Sequence, residues 1–478
     1  MLSLLPVFSL AQLIIPAPAP TPTPTPPPPP VQQQLVVQPQ EVRALPGQLD
    51  KVLVFNSNSP EVIKTEGILL STFPTAGKAV PSAHLNFPLK GRFDLFAHHI
   101  RRTSTPAEAR PMYLGVLVYN PGNRPVKLDI LQAVSHVTNP DAPFIELPAY
   151  VDNSTGKVYS GPGSRAMTDI MRGVHQSKFP SQIVIPPKRS QLLFNLPMWI
   201  GNTRTTLMRL QSSDSVYVAS LAGYGFVEPS LEYDPTDLFF LLYPPPPPIY
   251  RGPTLEEWQK LLDTGSLAGP RDRTPTRPEA TNTEIVYGRV AGVAQGSEWR
   301  TEVVDRPGMR DLSIPQQGKA FSYPLSTVPM ITLGTGQVQS APLLVRYADT
   351  AYRAHGNYGV RYSLTLPLLN NTPERQTVTL TIQTPIKQEN QRDELRFLEP
   401  PDPQVFFRGT VQVSYKDDQG IPQTRYVHLV QRRGQQGEPL VTLNMPPGDR
   451  RLVKVDFLYP PDSQPPQALT VKTLERSP

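Results

Sequence analysis

Sixty prolines and 30 glycines are spread through the 478 residues of this chain, and that load sets the fold class. Proline has no N–H to offer a helix and its ring clashes with the preceding turn. Glycine costs a helix about 1 kcal/mol relative to alanine. Long helices are therefore excluded, and the short alternating runs between the breakers read as strands. Charged residues are sparse at 18%, which sets aside coiled coils and charge-driven disorder. The expectation is a mainly β protein, long enough for more than one core.

The prolines cluster first near the start. Residues 2–15 (LSLLPVFSLAQLII) form an apolar run, and a proline tract fills residues 16–30 (PAPAPTPTPTPPPPP). The run is shorter than the roughly 20 residues that cross a bilayer. It has the length of a secretory h-region, with Ser9-Leu10-Ala11 supplying small residues before a cleavage point. This predicts a signal peptide over residues 1–11 and a disordered Pro-rich spacer over 12–40. As polyproline II the tract would reach about 45 Å. The expected location is the periplasm or the cell envelope.

The body behind the spacer shows two similar halves. In the first, MYLGVLVY (112–119) runs into Asn120-Pro121-Gly122-Asn123 and returns as Val126-Lys127-Leu128-Asp129-Ile130, apolar at every second residue. In the second, YSLTLPLL (362–369) runs into Asn370-Asn371-Thr372-Pro373 and returns as Val378-Thr379-Leu380-Thr381-Ile382. Each half later carries a Pro-Pro turn before another alternating strand: Pro186-Pro187-Lys188-Arg189 and Pro446-Pro447-Gly448-Asp449. Repetition of this kind predicts two tandem antiparallel β-sandwich domains of immunoglobulin-like type. They are expected over residues 41–242 and 284–478. A Pro-rich linker, 243–283, joins them and carries one helix over 254–263, where Thr254 and Glu257 have capping-box spacing.

Chemistry-bearing motifs are few. With no cysteine, thiolate catalysis and Cys-ligated metal sites are ruled out. The seven histidines show no HExxH or HxH spacing. His98 and His99 are adjacent in a strand-like run, so they point to opposite faces. No serine sits in a GxSxG elbow. No cofactor is expected. The net charge of +6 is scattered, which argues against nucleic acid and suits weak attraction to anionic wall polymers or lipid headgroups. The one candidate site is SGPGSRAMTDIMRG (160–173). Gly161 and Gly163 make a tight loop, Ser164 caps a short helix, and Arg165 adds charge where backbone N–H groups attract an anion or an acidic sugar. An ordered connection between strands accounts for the same residues.

Three segments carry a family resemblance: Tyr119-Asn120-Pro121-Gly122, Pro140-Asp141-Ala142-Pro143-Phe144-Ile145 and Gly161-Pro162-Gly163-Ser164-Arg165. With the closing Tyr459-Pro460-Pro461-Asp462 and Pro465-Pro466-Gln467, the chain resembles a family of secreted cyanobacterial proteins, domain of unknown function 3370. The resemblance implies an exported envelope protein with no assigned activity. The sequence thus predicts a non-enzymatic envelope protein that binds a wall polymer, a polysaccharide or an envelope protein. The rivals are an envelope carbohydrate hydrolase and a purely structural, self-assembling component.

Overall fold

Alternation in sequence becomes alternation in burial. Val126, Leu128 and Ile130 are buried while Lys127 between them is exposed. The computed structural model describes residues 32–105, 110–228, 248–280, 284–389 and 392–475 and is mainly β. The expected signal peptide and the proline tract up to residue 30 lie outside the described residues.

The strands build two pairs of facing layers. One layer of the first pair runs, in order, Gln182–Ile185, Val126–Val137, Thr203–Tyr224, Leu89–Arg101, Leu53–Ser57, Ala291–Gln295 and Ala341–Arg346. Gly67–Ser71, Met112–Tyr119 and Ser190–Met198 form the facing layer. The 22-residue strand Thr203–Tyr224 belongs to both. Its register on Leu89–Arg101 breaks between Ser212 and Val216, and from Tyr217 onward it pairs with Met112–Tyr119. Phe55, Leu70, Leu95, Val116, Leu128 and Met208 fill the core between the layers. The second pair sets Glu298–Glu302, Arg361–Leu369, Arg450–Leu458, Val405–Lys416, Pro422–Arg432 and Tyr150–Asp152 against Ala320–Leu325, Gln467–Thr473, Gln376–Gln383 and Pro439–Met445. Its core is largely aliphatic with an aromatic cluster in which Tyr362 stacks on Phe457 at 5.2 Å.

Pairing crosses the boundary drawn between residues 41–242 and 284–478. Leu53–Ser57 takes Ala291–Gln295 as a neighbour, and Tyr150–Asp152 lies beside Pro422–Arg432. Residues 41 and 42 pair with Phe321 and Ser322. The end of the expected disordered spacer is also a strand, Gln34–Pro39, in register with Glu394–Glu399. Its sequence, QLVVQP, is free of proline until its last residue, so its N–H groups can enter a ladder.

Among the described residues, two α-helices sit on this frame. The helix α1, Gly161–Met171, buries Ala166, Met167 and Ile170 against Phe96, Val134 and Leu207 of the first pair and Leu458 of the second. It is a wedge between them. The helix α2, Leu255–Thr264, has the expected capping box, with Thr254 accepting from the Glu257 N–H and Glu257 accepting from the Thr254 N–H. Rather than standing in a free linker, α2 lies on the first pair. Trp258 is fully buried against Gly115 and Gly223, where any Cβ would fall within 3 Å of its ring. Among the described residues, no helix is long and apolar enough to cross a membrane.

The repeat seen in the sequence is present at the level of single hydrogen bonds. Asn120 donates through Nδ2 to the carbonyls of Arg124 and Ile185 and accepts from the Gly122 N–H. Asn370 donates to Glu374 and Met445 and accepts from the Thr372 N–H. Each asparagine is fully buried and pins a strand-to-strand corner to the Pro-Pro turn. The registers match too: Tyr119 faces Ser190 as Leu369 faces Arg450, and Val126 faces Ile185 as Gln376 faces Met445.

Candidate functional site

The residues singled out at the start of α1 are largely enclosed. Gly161, Gly163 and Ser164 are buried. Gly161 sits at φ +84° under the Phe144 ring, and a Cβ on Gly163 would meet Pro461 and the Asp462 carboxylate. Ser164 Oγ donates back to the carbonyls of Ser160 and Gly161 and accepts from the Ser160 N–H. Arg165 is spent on the Asp141 carbonyl and stacks on Tyr159, 4.7 Å from its ring centroid. The structure thus brings the four together as a packed helix start, whose donors face protein rather than solvent. Ser160 alone of this loop reaches an open cleft.

The histidines are equally internal. His98 bonds Thr205, while His99 donates from Nδ1 to the Pro60 carbonyl and accepts at Nε2 from Ser57. Burial lowers the pKa of His98 to about 3 and of His99 to about 4, with neighbouring His99 adding to the effect on His98. Both are therefore neutral packing groups at physiological pH. Asp393 and Glu394, adjacent in sequence, are drawn into the edge ladder, the Asp393 carbonyl accepting from Gln40. Asp417 and Asp418 cap a turn and pair with Asn444 and Arg451.

A different place combines the features of a saccharide site. At the corner pinned by Asn120, a cleft of about 360 Å³ opens between that corner, residues 73–78 and α2. Tyr119 ends its strand at the cleft, stacked on Phe73 at 5.7 Å and on Tyr217 at 6.4 Å. The Tyr119 hydroxyl makes no hydrogen bond within the described residues, so it remains available to a ligand in the cleft. Lys78 lies 5.3 Å from the Phe73 ring centroid and pairs with Asp263 of α2. Lys188 and Arg189, both exposed, bring two more cations to the rim. An aromatic surface takes the apolar face of a sugar ring, and cations beside it take an acidic substituent.

Lys188 is held at φ +56°, a conformation that costs a non-glycine residue about 1–2 kcal/mol. The matching residue in the second half is Gly448, at φ +73°. Tyr119 and Arg189 are matched there by Leu369 and Asp449, so the tyrosine beside Lys188 and Arg189 belongs to one copy of the corner, the second copy carrying Arg450 in place of Ser190. The sequence contained this signal: laying the two Pro-Pro turns side by side sets Lys188-Arg189 against Gly448-Asp449. Nothing local announced Phe73 and Lys78, which arrive from a distant segment by tertiary folding.

A comparison with curated proteins finds no match. A model of proteins of unknown function, DUF3370, matches residues 40–473, a span holding both corners, both helices and the cleft. The chain belongs to the DUF3370 family.

Proposed function

We propose that this protein is an exported, non-enzymatic component of a cyanobacterial cell envelope that binds an anionic polysaccharide or wall polymer at the Asn120 corner. The observation that carries this reading is Tyr119 with its free hydroxyl, flanked by Lys78, Lys188 and Arg189 in one cleft. The apolar run and proline tract of residues 2–30 support export on a spacer. The shared asparagine corners support reading the two layer pairs as immunoglobulin-like sandwiches of common design.

The test is retention of the full chain on an immobilised polyuronate, compared with a neutral glucan, at physiological salt. Retention on the acidic polymer alone is expected. Tyr119→Ala and Lys188→Gly are each expected to weaken it about tenfold, the equivalent of roughly 1.4 kcal/mol. Glycine at 188 copies the second corner, so that variant keeps the turn. Retention no greater than that of an unrelated basic protein would sink the proposal.

A further inference from the structure

A second cleft, of about 490 Å³, lies on the other side of the α1 loop, between residues 144–149 and the strands Val405–Lys416 and Pro422–Arg432. We propose that it binds a peptide carboxy-terminus, with Arg408 as the anchor of the carboxylate and Phe144 and Ile145 as the seat of the apolar side chain beside it.

Arg408 is the observation that requires an explanation. Its guanidinium lies 5.2 Å from the centroid of the Phe144 ring. Its Nε is shut off from water and has no hydrogen-bond partner. Among the described residues it reaches no carboxylate within salt-bridge distance. Other arginines of the same layer pair are matched: Arg361 to Asp456, Arg433 to Asp402 and Arg451 to Asp449. A buried donor left without an acceptor costs about 1–3 kcal/mol, more when it is charged, and native proteins leave few of them. Arg408 lines the cleft, and the cleft is where an acceptor for its outer guanidinium nitrogens can enter.

The surroundings narrow its chemistry. Arg432 adds a second, exposed cation, and Glu146 stands exposed at the rim. Asp462 is close enough to feel Arg408 but does not pair with it, and its Oδ2 is likewise buried without a partner. Burial pushes that carboxyl up to about 6, with Arg408 opposing the shift. Apart from Ser160 and Gln435, the rest of the lining is apolar. Phe144 is 44% and Ile145 48% exposed, and Pro401 and Pro403 complete the rim. A planar guanidinium fork stacked on a ring suits a carboxylate held by two parallel hydrogen bonds. The apolar rim suits a hydrocarbon side chain next to it, which a free phosphate or a hydroxyl-rich sugar would not fill. A peptide ending in an apolar residue offers both groups in one unit.

The experiment uses the full chain and a fluorescein-tagged pentapeptide ending in leucine, as the free acid and as the carboxy-terminal amide, read by fluorescence anisotropy. The acid is expected to bind saturably and the amide at least about tenfold more weakly, a gap of roughly 1.4 kcal/mol. Arg408→Gln should bring the acid down to the level of the amide, with Arg408→Lys in between. Equal binding of acid and amide, undiminished binding by Arg408→Gln, or no binding of the acid overturns the proposal. If Arg408→Gln is unstable, Phe144→Ala decides on an exposed ring: unchanged affinity for the acid overturns it as well.

Discussion

Asn120 and Asn370 show how much one side chain can determine. Each is fully buried, and its side chain hydrogen-bonds both within its own turn and to a Pro-Pro turn more than 60 residues further on. Alanine at either position removes those bonds and strands buried carbonyls and an N–H, at about 1 kcal/mol or more each. The expected loss is about 2–4 kcal/mol, measured by urea unfolding. Aspartate should be no better, since the carbonyls of Ile185 and Met445 need a donor. A loss below about 1 kcal/mol would mean that the corners are held by something else. These asparagines were legible as turn residues, because Asn-Pro and Asn-Asn-Thr-Pro are turn chemistry. Their reach to the Pro-Pro turns was not, since a hydrogen bond over that separation leaves no local trace.

At the scale of elements, the capping box of α2 was readable from Thr254 and Glu257 alone, because its partners lie three residues apart. Where the helix docks was not. Trp258 fills a hollow made by Gly115 and Gly223, two residues that look like weak points in otherwise apolar strands. Trp258→Ala should cost about 3–5 kcal/mol and release α2 before the sheets open. Limited proteolysis is expected to cut within residues 248–280 while the strands stay protected; cleavage no faster than in the native chain would refute this. The start of α1 teaches the converse. The glycines, Ser164 and Arg165 were legible as a helix start, yet the first turn is covered by Phe144, Pro461 and Asp462. Sequence can locate a helix N-terminus but cannot say whether water or protein stands in front of it.

At the scale of the molecule, the two layer pairs exchange strands across the halves of the sequence and share a wedge, so protonation anywhere in either core acts on the whole. Burial lowers His84, His99, His355 and His428 to about 4 and His98 to about 3. The unfolded chain takes up these protons near the ordinary value of about 6.5, the native state only near 4 or below. Between those limits the unfolded state binds more protons, so stability falls as pH falls. Asp462, raised to about 6, and Glu61 and Asp94, also raised by burial, work in the opposite sense but are outnumbered by the five histidines. The calorimetric midpoint should therefore drop steadily from pH 7 to pH 4.5, and a flat or rising midpoint would contradict the assignment of neutral buried histidines. The sequence by itself determined the β class, the repeated corners and the capped helix, because each depends on backbone limits or on partners a few residues away. Only the tertiary structure decided that Gln34–Pro39 joins a strand 360 residues later, that Arg165 is spent inside while Arg408 is left waiting in a cleft, and that Phe73 and Lys78 meet Tyr119. Those outcomes rest on which surfaces pack against which, and residue spacing carries no record of that.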